Sequence, residues 1–114
     1  MPTRPNPLKL NKLQARTLAL AQVVAKDPTL AHRDGATGNT HIPALPHPHG
    51  DHVHIGTFVV STREISGFSN PAVWAALTRK GLAHETALPA VTLTQAGLDY
   101  DTGLGHLFQT VSDH

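Results

Sequence analysis

The sequence predicts a small α+β domain, and three observations carry that expectation. Leu10, Leu13, Leu20 and Val24 recur at helical spacing around a capping pair, with Pro28 as the stop. Four histidines alternate through His47-Pro48-His49-Gly50-Asp51-His52-Val53-His54, around a two-residue hairpin signal. Downstream, Asn70-Pro71 opens a second long helix and Thr94 a third, with Ala90-Val91-Thr92-Leu93 between them. A chain of 114 residues supports one modest core and therefore one domain.

The elements follow in order. Residues 1–9 carry three prolines and are expected to be a disordered tail. Asn11 is a good N-cap, and Gln14 three residues on completes a capping box, so the first helix spans residues 12–26. Gly35, Gly38, Asn39 and Pro43 make residues 29–45 a loop that ends in a short strand near 40–45. In the hairpin that follows, glycine comes first, as a type II′ turn prefers, which sets His49 opposite His52 and His47 opposite His54. All four imidazoles then project from one face, with Pro48 and Val53 on the other, and residues 52–55 form the second strand. Ser61-Thr62-Arg63-Glu64-Ile65-Ser66-Gly67 reads as a short helix closed by glycine. Residues 70–80 form the next helix, with Val73, Trp74 and Leu77 as its apolar stripe beside Ala76, and with Gly81 as its stop. Trp74 belongs to the core in this arrangement. Arg79 and Lys80 occupy the last turn, where the helix dipole favours cations. Thr94 caps a final helix over 95–100. Gly103 and Gly105 interrupt the helical signal in residues 102–114, whose order the sequence leaves open.

Nine histidines and no cysteine mean that any transition-metal site must be built from imidazole and carboxylate. Neutral imidazole suits zinc, copper and nickel. His47, His49, His52 and His54 are therefore candidate ligands for zinc or nickel; the same composition also fits an exposed, proline-rich connector. His32 and His41 are either distant ligands to that segment or solvated loop residues, and His84, His106 and His114 carry no spacing signal. The string from His47 to His52 coincides with the HxHxDH of metallo-β-lactamase-fold hydrolases. That fold needs two αβ halves and further ligands, for which this chain is too short. His49-Gly50-Asp51-His52-Val53-His54 resembles the HxxHxH motif of bacterial histidine-triad surface proteins, which implies zinc as the ion.

Composition narrows the function classes. Charged residues make up 15% and the formal net charge is +1, too weak to argue for nucleic acid or membrane from charge alone. Protonation of the histidines below about pH 6 would raise that charge greatly. Residues 1–7 lack the apolar core of a signal peptide, and the run Leu18–Val24 is far short of the roughly 20 residues a bilayer needs. A cytoplasmic protein without a membrane partner is expected. No nucleophile elbow, phosphate-binding glycine loop or zincin helix is present, and Gly103-Leu104-Gly105 lacks a third glycine, so no organic cofactor is expected. His49, Asp51 and Glu64 supply metal-centre chemistry in principle, but a hairpin tip has no walled pocket. The chain is not expected to be an enzyme.

Three stretches carry a family resemblance. Glu64-Ile65-Ser66, Leu77-Thr78-Arg79-Lys80-Gly81-Leu82 and Leu93-Thr94-Gln95-Ala96-Gly97 stand in the order and spacing of the winged helix-turn-helix domains of bacterial transcription regulators. The resemblance covers residues 57–101, with the first helix in the right place upstream. It implies a winged-helix domain over 10–101, with the histidine hairpin inserted between the first and second helices. It also implies a recognition helix over 70–80 that lies in the major groove of double-stranded DNA. Asn70, Thr78, Arg79 and Lys80 would face the bases or backbone, and Thr62 and Arg63 would hold phosphates. The wing position, His84-Glu85-Thr86-Ala87-Leu88-Pro89, departs from the family in having no lysine or arginine. With only three or four cationic contacts, a monomer would bind weakly, and a homodimer formed through the first helix and C-terminal segment would double them. Ala72, Ala75 and Ala76 would equally suit a flat protein partner, and a metal-binding protein without DNA binding is the third expectation.

Overall fold

Asn11 starts the first helix because its side chain accepts from Gln14 N at 2.8 Å, while Gln14 Oε1 accepts from Asn11 N at 3.2 Å. This reciprocal cap satisfies N–H groups that the first turn leaves without intrahelical partners. The computed structural model describes residues 6–45, 50, 52–55, 58–61, 66–84 and 87–104. Its elements are α1 (Lys12–Ala25), β1 (His32–Arg33), β2 (Thr40–Ile42), β3 (His52–Ile55), β4 (Phe58–Ser61), a 3-10 turn (Ser66–Ser69), α2 (Pro71–Arg79), β5 (Val91–Leu93) and α3 (Gln95–Asp99).

The end of α1 is set locally. Asp27 Oδ1 accepts from Thr29 N at 2.9 Å and from Thr29 Oγ1 at 2.6 Å, folding the chain over Pro28. Those bonds hold the Asp27 carboxyl below the usual carboxylate range, the hydroxyl bond first. Leu10, Leu20 and Val24 are buried as the stripe predicts, and Leu18 joins them. Leu13 does not: it sits one turn from the cap, beside Gly67, and stays 39% exposed. Gln22 breaks the apolar run for a reason. Its Nε2 donates to Gly97 O at 2.9 Å and Tyr100 O at 2.7 Å, satisfying carbonyls at the end of α3.

β1, β2 and β5 form one antiparallel sheet with β2 in the centre. Thr40, Ile42, Val91 and Leu93 are buried, and His41 between them is exposed, as alternation along a strand requires. On the free side of β5, Ala83 pairs with Leu93 and His84 N donates to Thr92 O at 3.0 Å. The chain thus runs out from α2 along β5 and back through the Ala87–Ala90 bridge as a hairpin.

The second pair of strands corrects the sequence reading. β3 pairs with β4, His52 opposite Ser61, Val53 opposite Val60, His54 opposite Val59 and Ile55 opposite Phe58. Residues 58–61 are therefore strand, so the helix expected over 61–67 does not begin at Ser61; its end is the 3-10 turn at 66–69. Phe58-Val59-Val60 is aromatic and β-branched, which suits a pleated surface better than a helix. Gly50 lies in a turn with φ +68°, the left-handed conformation a glycine-led hairpin turn uses. The pairing expected across that turn involves His47, Pro48, His49 and Asp51, which lie outside the described residues.

The segment from α2 to α3 follows its capping signals closely. Asn70 Oδ1 accepts from Ala72 N at 2.9 Å, with Pro71 at the first helical position. Gly81 ends α2 at φ +76°, with Leu82 N donating to Leu77 O at 3.0 Å and Gly81 N to Thr78 O at 3.0 Å, the Schellman pattern. Val73, Trp74, Ala76 and Leu77 form the buried face. Trp74 is a core residue: it is 2% exposed, its Nε1 donates to Phe68 O at 2.7 Å, and its ring meets Phe68 edge-on at 5.4 Å. Thr94 caps α3 through Gly97 N at 3.1 Å.

The described part of the expected N-terminal tail is fastened to the C-terminal end of the domain. Asn6 N donates to Asp101 O at 2.6 Å, Tyr100 Oη donates to Asn6 Oδ1 at 2.5 Å, and Leu8 N donates to Tyr100 Oη at 2.8 Å. Residues 102–104 are likewise tied by local bonds, Leu104 N to Thr102 Oγ1 at 3.1 Å among them.

Candidate nucleic-acid interface and the histidine residues

The exposed side of α2 comprises Pro71, Ala72, Ala75, Thr78 and Arg79. These residues stand on one side because they recur at three- and four-residue intervals, opposite the buried stripe. The result is a face of small side chains with a guanidinium at its C-terminal end. Ala76, read from sequence as part of an alanine surface, is instead 5% exposed and turned to the core. It lies one turn on from Ala72 and three residues from Val73, at the border where the exposed side meets the buried stripe.

The residues chosen for DNA contact fare differently from one another. Asn70 is partly buried and its carboxamide oxygen is used to cap α2. Thr78 is exposed, but its hydroxyl donates to Trp74 O at 2.8 Å. Lys80 Nζ donates to Leu8 O at 3.4 Å, a long bond that draws the ammonium toward the N-terminal segment. Arg79 is exposed at the end of the small-residue face. Asn70 and Arg79 are separated by the length of α2, about 13 Å at 1.5 Å per residue, so the set forms a line rather than a cluster. Thr62 and Arg63 lie outside the described residues.

Of the metal candidates, His47 and His49 lie outside the described residues, and for His52 and His54 only the strand positions in β3 are described. Among the described residues, no three or more histidine, aspartate or glutamate side chains gather to hold an ion. A different arrangement appears on the three-stranded sheet, where the sequence offers His32 and His41 only as distant ligands to the hairpin or as solvated loop residues. His32 is opposite His41 and His41 is opposite Thr92, with His84 on the far side of Thr92. His41 Nδ1 lies 3.2 Å from Thr92 Oγ1. The gaps of 9 and 43 residues between these histidines follow no motif, because strand pairing alone brings them into register.

The two best-matched sequence motifs meet in space. Thr94 Oγ1 donates to Gly81 O at 2.6 Å and Thr94 N to Leu82 O at 3.2 Å. Gly97 packs so tightly on the same turn that a Cβ there would stand 2.0 Å from Leu82 O. Glycine at this position lets α3 rest on the turn that ends α2. Arg33 Nη2 donates to Gln95 Oε1 at 2.6 Å, tying β1 to the first residue of α3. No helix among the described residues is long and apolar enough to cross a membrane. No known protein family, curated protein or solved structure matches the chain.

Proposed function

We propose that the chain is a small winged-helix, regulator-like protein that binds double-stranded DNA through the exposed face of α2. The observation that carries this reading is the way α2 is presented. The helix is anchored by Trp74 on one side, closed by the Gly81 turn, and followed by the 83–93 hairpin. That hairpin leads into a Thr94–Gly97 cap lying on the Gly81–Leu82 turn. α2, the hairpin and the Thr94-capped helix follow one another in the order that the resemblance implies, while the helix it implies before α2 falls largely on residues 62–65, outside the described residues. The free face, Ala72 and Ala75 flanked by Thr78 and Arg79, is low enough for a groove wall or a phosphate ridge to approach the helix closely. Zinc or nickel held by His47, His49, His52 and His54 would modulate that binding from the inserted segment.

A second reading has its own support. Asn70, Thr78 and Lys80 all spend polar atoms on internal bonds, which favours a small-residue surface for a protein partner. Fluorescence anisotropy of mixed-sequence duplex DNA, titrated at two salt concentrations with and without zinc, separates the two. DNA binding is expected to weaken with salt by a slope of about −0.9 per neutralised phosphate. Arg79→Ala should lower that slope by about 1 unit and weaken all sequences alike. No binding at tens of micromolar protein in low salt would discard the DNA reading in favour of the protein-partner one.

A further inference from the structure

Two histidines nine residues apart in the chain stand side by side on the open face of the sheet. His32 and His41 are Cα partners on neighbouring antiparallel strands, and both are exposed. Directly opposed residues of such strands project from the same face, with Cβ atoms about 5 Å apart. The other face of this sheet is the buried one, through Thr40, Ile42, Val91 and Leu93. We propose that His32 and His41 chelate a zinc ion, with water completing its shell, at a site separate from the His47–His54 segment.

Three features favour chelation over two independent imidazoles. The register is pinned one pair beyond the strands, where Asp34 N donates to Asn39 O at 2.8 Å, so the two rings are held opposite one another. The Asp34 carboxylate is itself committed to that turn: Ala36 N donates to its Oδ1 at 2.9 Å, and this bond is the first cause of its lowered pKa. It is therefore not drawn into competition for the histidines. Finally, Thr92 Oγ1 lies 3.2 Å from His41 Nδ1. A hydrogen bond at Nδ1 orients the ring and leaves Nε2 for a metal, the arrangement outer-shell partners give to ligating histidines. With two protein ligands the site is open, unlike a closed four-ligand structural zinc. The site does not depend on whether α2 binds DNA.

The test needs to resolve nine histidines one by one, so it reads ring resonances of the full-length protein by NMR during titration with zinc alone. His32 and His41 ring signals are expected to move together with one midpoint. In His32→Gln the His41 response should weaken by about 100-fold, because the second ligand no longer acts at high effective concentration. Thr92→Val, which leaves both ligands in place, should weaken the pair by about tenfold through lost ring orientation. Backbone amide spectra of each variant establish that the sheet is intact. Unchanged His41 titration in folded His32→Gln would overturn the proposal. So would different midpoints for His32 and His41, or zinc shifts confined to the His47–His54 rings.

Discussion

Gly67 and Gly97 are both buried where one element rests on another, and the difference between the two contacts is instructive. A Cβ at Gly67 would stand 2.2 Å from Thr17 Oγ1 and 2.8 Å from Leu13 Cδ1, both side-chain atoms of α1. A Cβ at Gly97 would stand 2.0 Å from the Leu82 carbonyl oxygen and 3.0 Å from its carbon, which are backbone. Leu13 is 39% exposed and has room to turn, whereas Leu82 O is already held by Thr94 N at 3.2 Å. The join between α1 and the 3-10 turn is thus adjustable at Leu13, though less so at the buried Thr17, and the join between the α2 turn and α3 is the more rigid of the two. A rigid join at that end fixes the end of α2 and the start of the hairpin relative to each other, which any surface spanning both requires.

Replacing these glycines is the strongest way to break the comparison. Gly97→Ala should cost about 3 kcal/mol, the upper end of the range for overpacking, because α3 must lift off the turn and lose the Thr94 bond to Gly81. Alanine's own helical preference, worth about 1 kcal/mol, works in the opposite direction and does not rescue it. Gly67→Ala should cost about 1 kcal/mol, since side chains can yield where backbone cannot. Urea denaturation of both variants gives the ordering. Equal losses, or a more stable Gly97→Ala, would show that the two joins do not differ as described.

What the sequence made legible divides along a related physical line. The three helices start where Asn11, Asn70 and Thr94 said they would, and α2 closes at Gly81, because a cap is decided within four residues of chain. Local pattern also marks a strand near 40–45, of which 40–42 forms, and one at 52–55. It does not mark their partners. Alternating histidines mark a strand but not its neighbour, and β3 has β4 beside it, of which only Ser61 falls in the helix expected over 61–67. The candidate site suffered from the same locality. The resemblance makes Asn70 a base-reading group, yet the capping role that locates α2 is what occupies its side chain. The His32–His41 pair had no signature at all, because a register between strands cannot be counted off along the chain.

Thr17 sharpens the comparison on the adjustable side. Its hydroxyl is buried and has no hydrogen-bond partner among the described residues, while Gly67 closes over it. Leaving such a group unsatisfied costs about 1–3 kcal/mol, so Thr17→Val, which keeps the shape and removes the oxygen, should raise stability by about 1 kcal/mol. In the double variant Thr17→Ala with Gly67→Ala, the methyl added at 67 fills space vacated at 17. The combined loss should then be smaller than the sum of the single losses by at least about 0.5 kcal/mol. Additive losses would mean that the two side chains do not share that space.

The smallest expected effect concerns the turns outside these joins. Asp27 and Asp34 both sit below the usual carboxylate range, Asp27 chiefly through the Thr29 hydroxyl and Asp34 chiefly through Ala36 N. A carboxyl whose folded pKa is depressed adds stability that is fully present above its unfolded pKa and is lost as pH falls through the folded one. The window therefore lies on the acid side of the ordinary carboxylate range, and stability near neutrality is unaffected by either titration. Asp27→Asn and Asp34→Asn keep an acceptor oxygen but abolish the charge, so each should lower stability slightly at neutral pH and flatten the acid limb of the profile. Wild type and variants should converge once the carboxyls are protonated, because the charge that distinguishes them has gone. Both groups are solvent-facing, so added salt should shrink the neutral-pH difference further. Profiles that stay parallel down to the acid limit would place the acid sensitivity elsewhere, in the histidines or in the joins themselves.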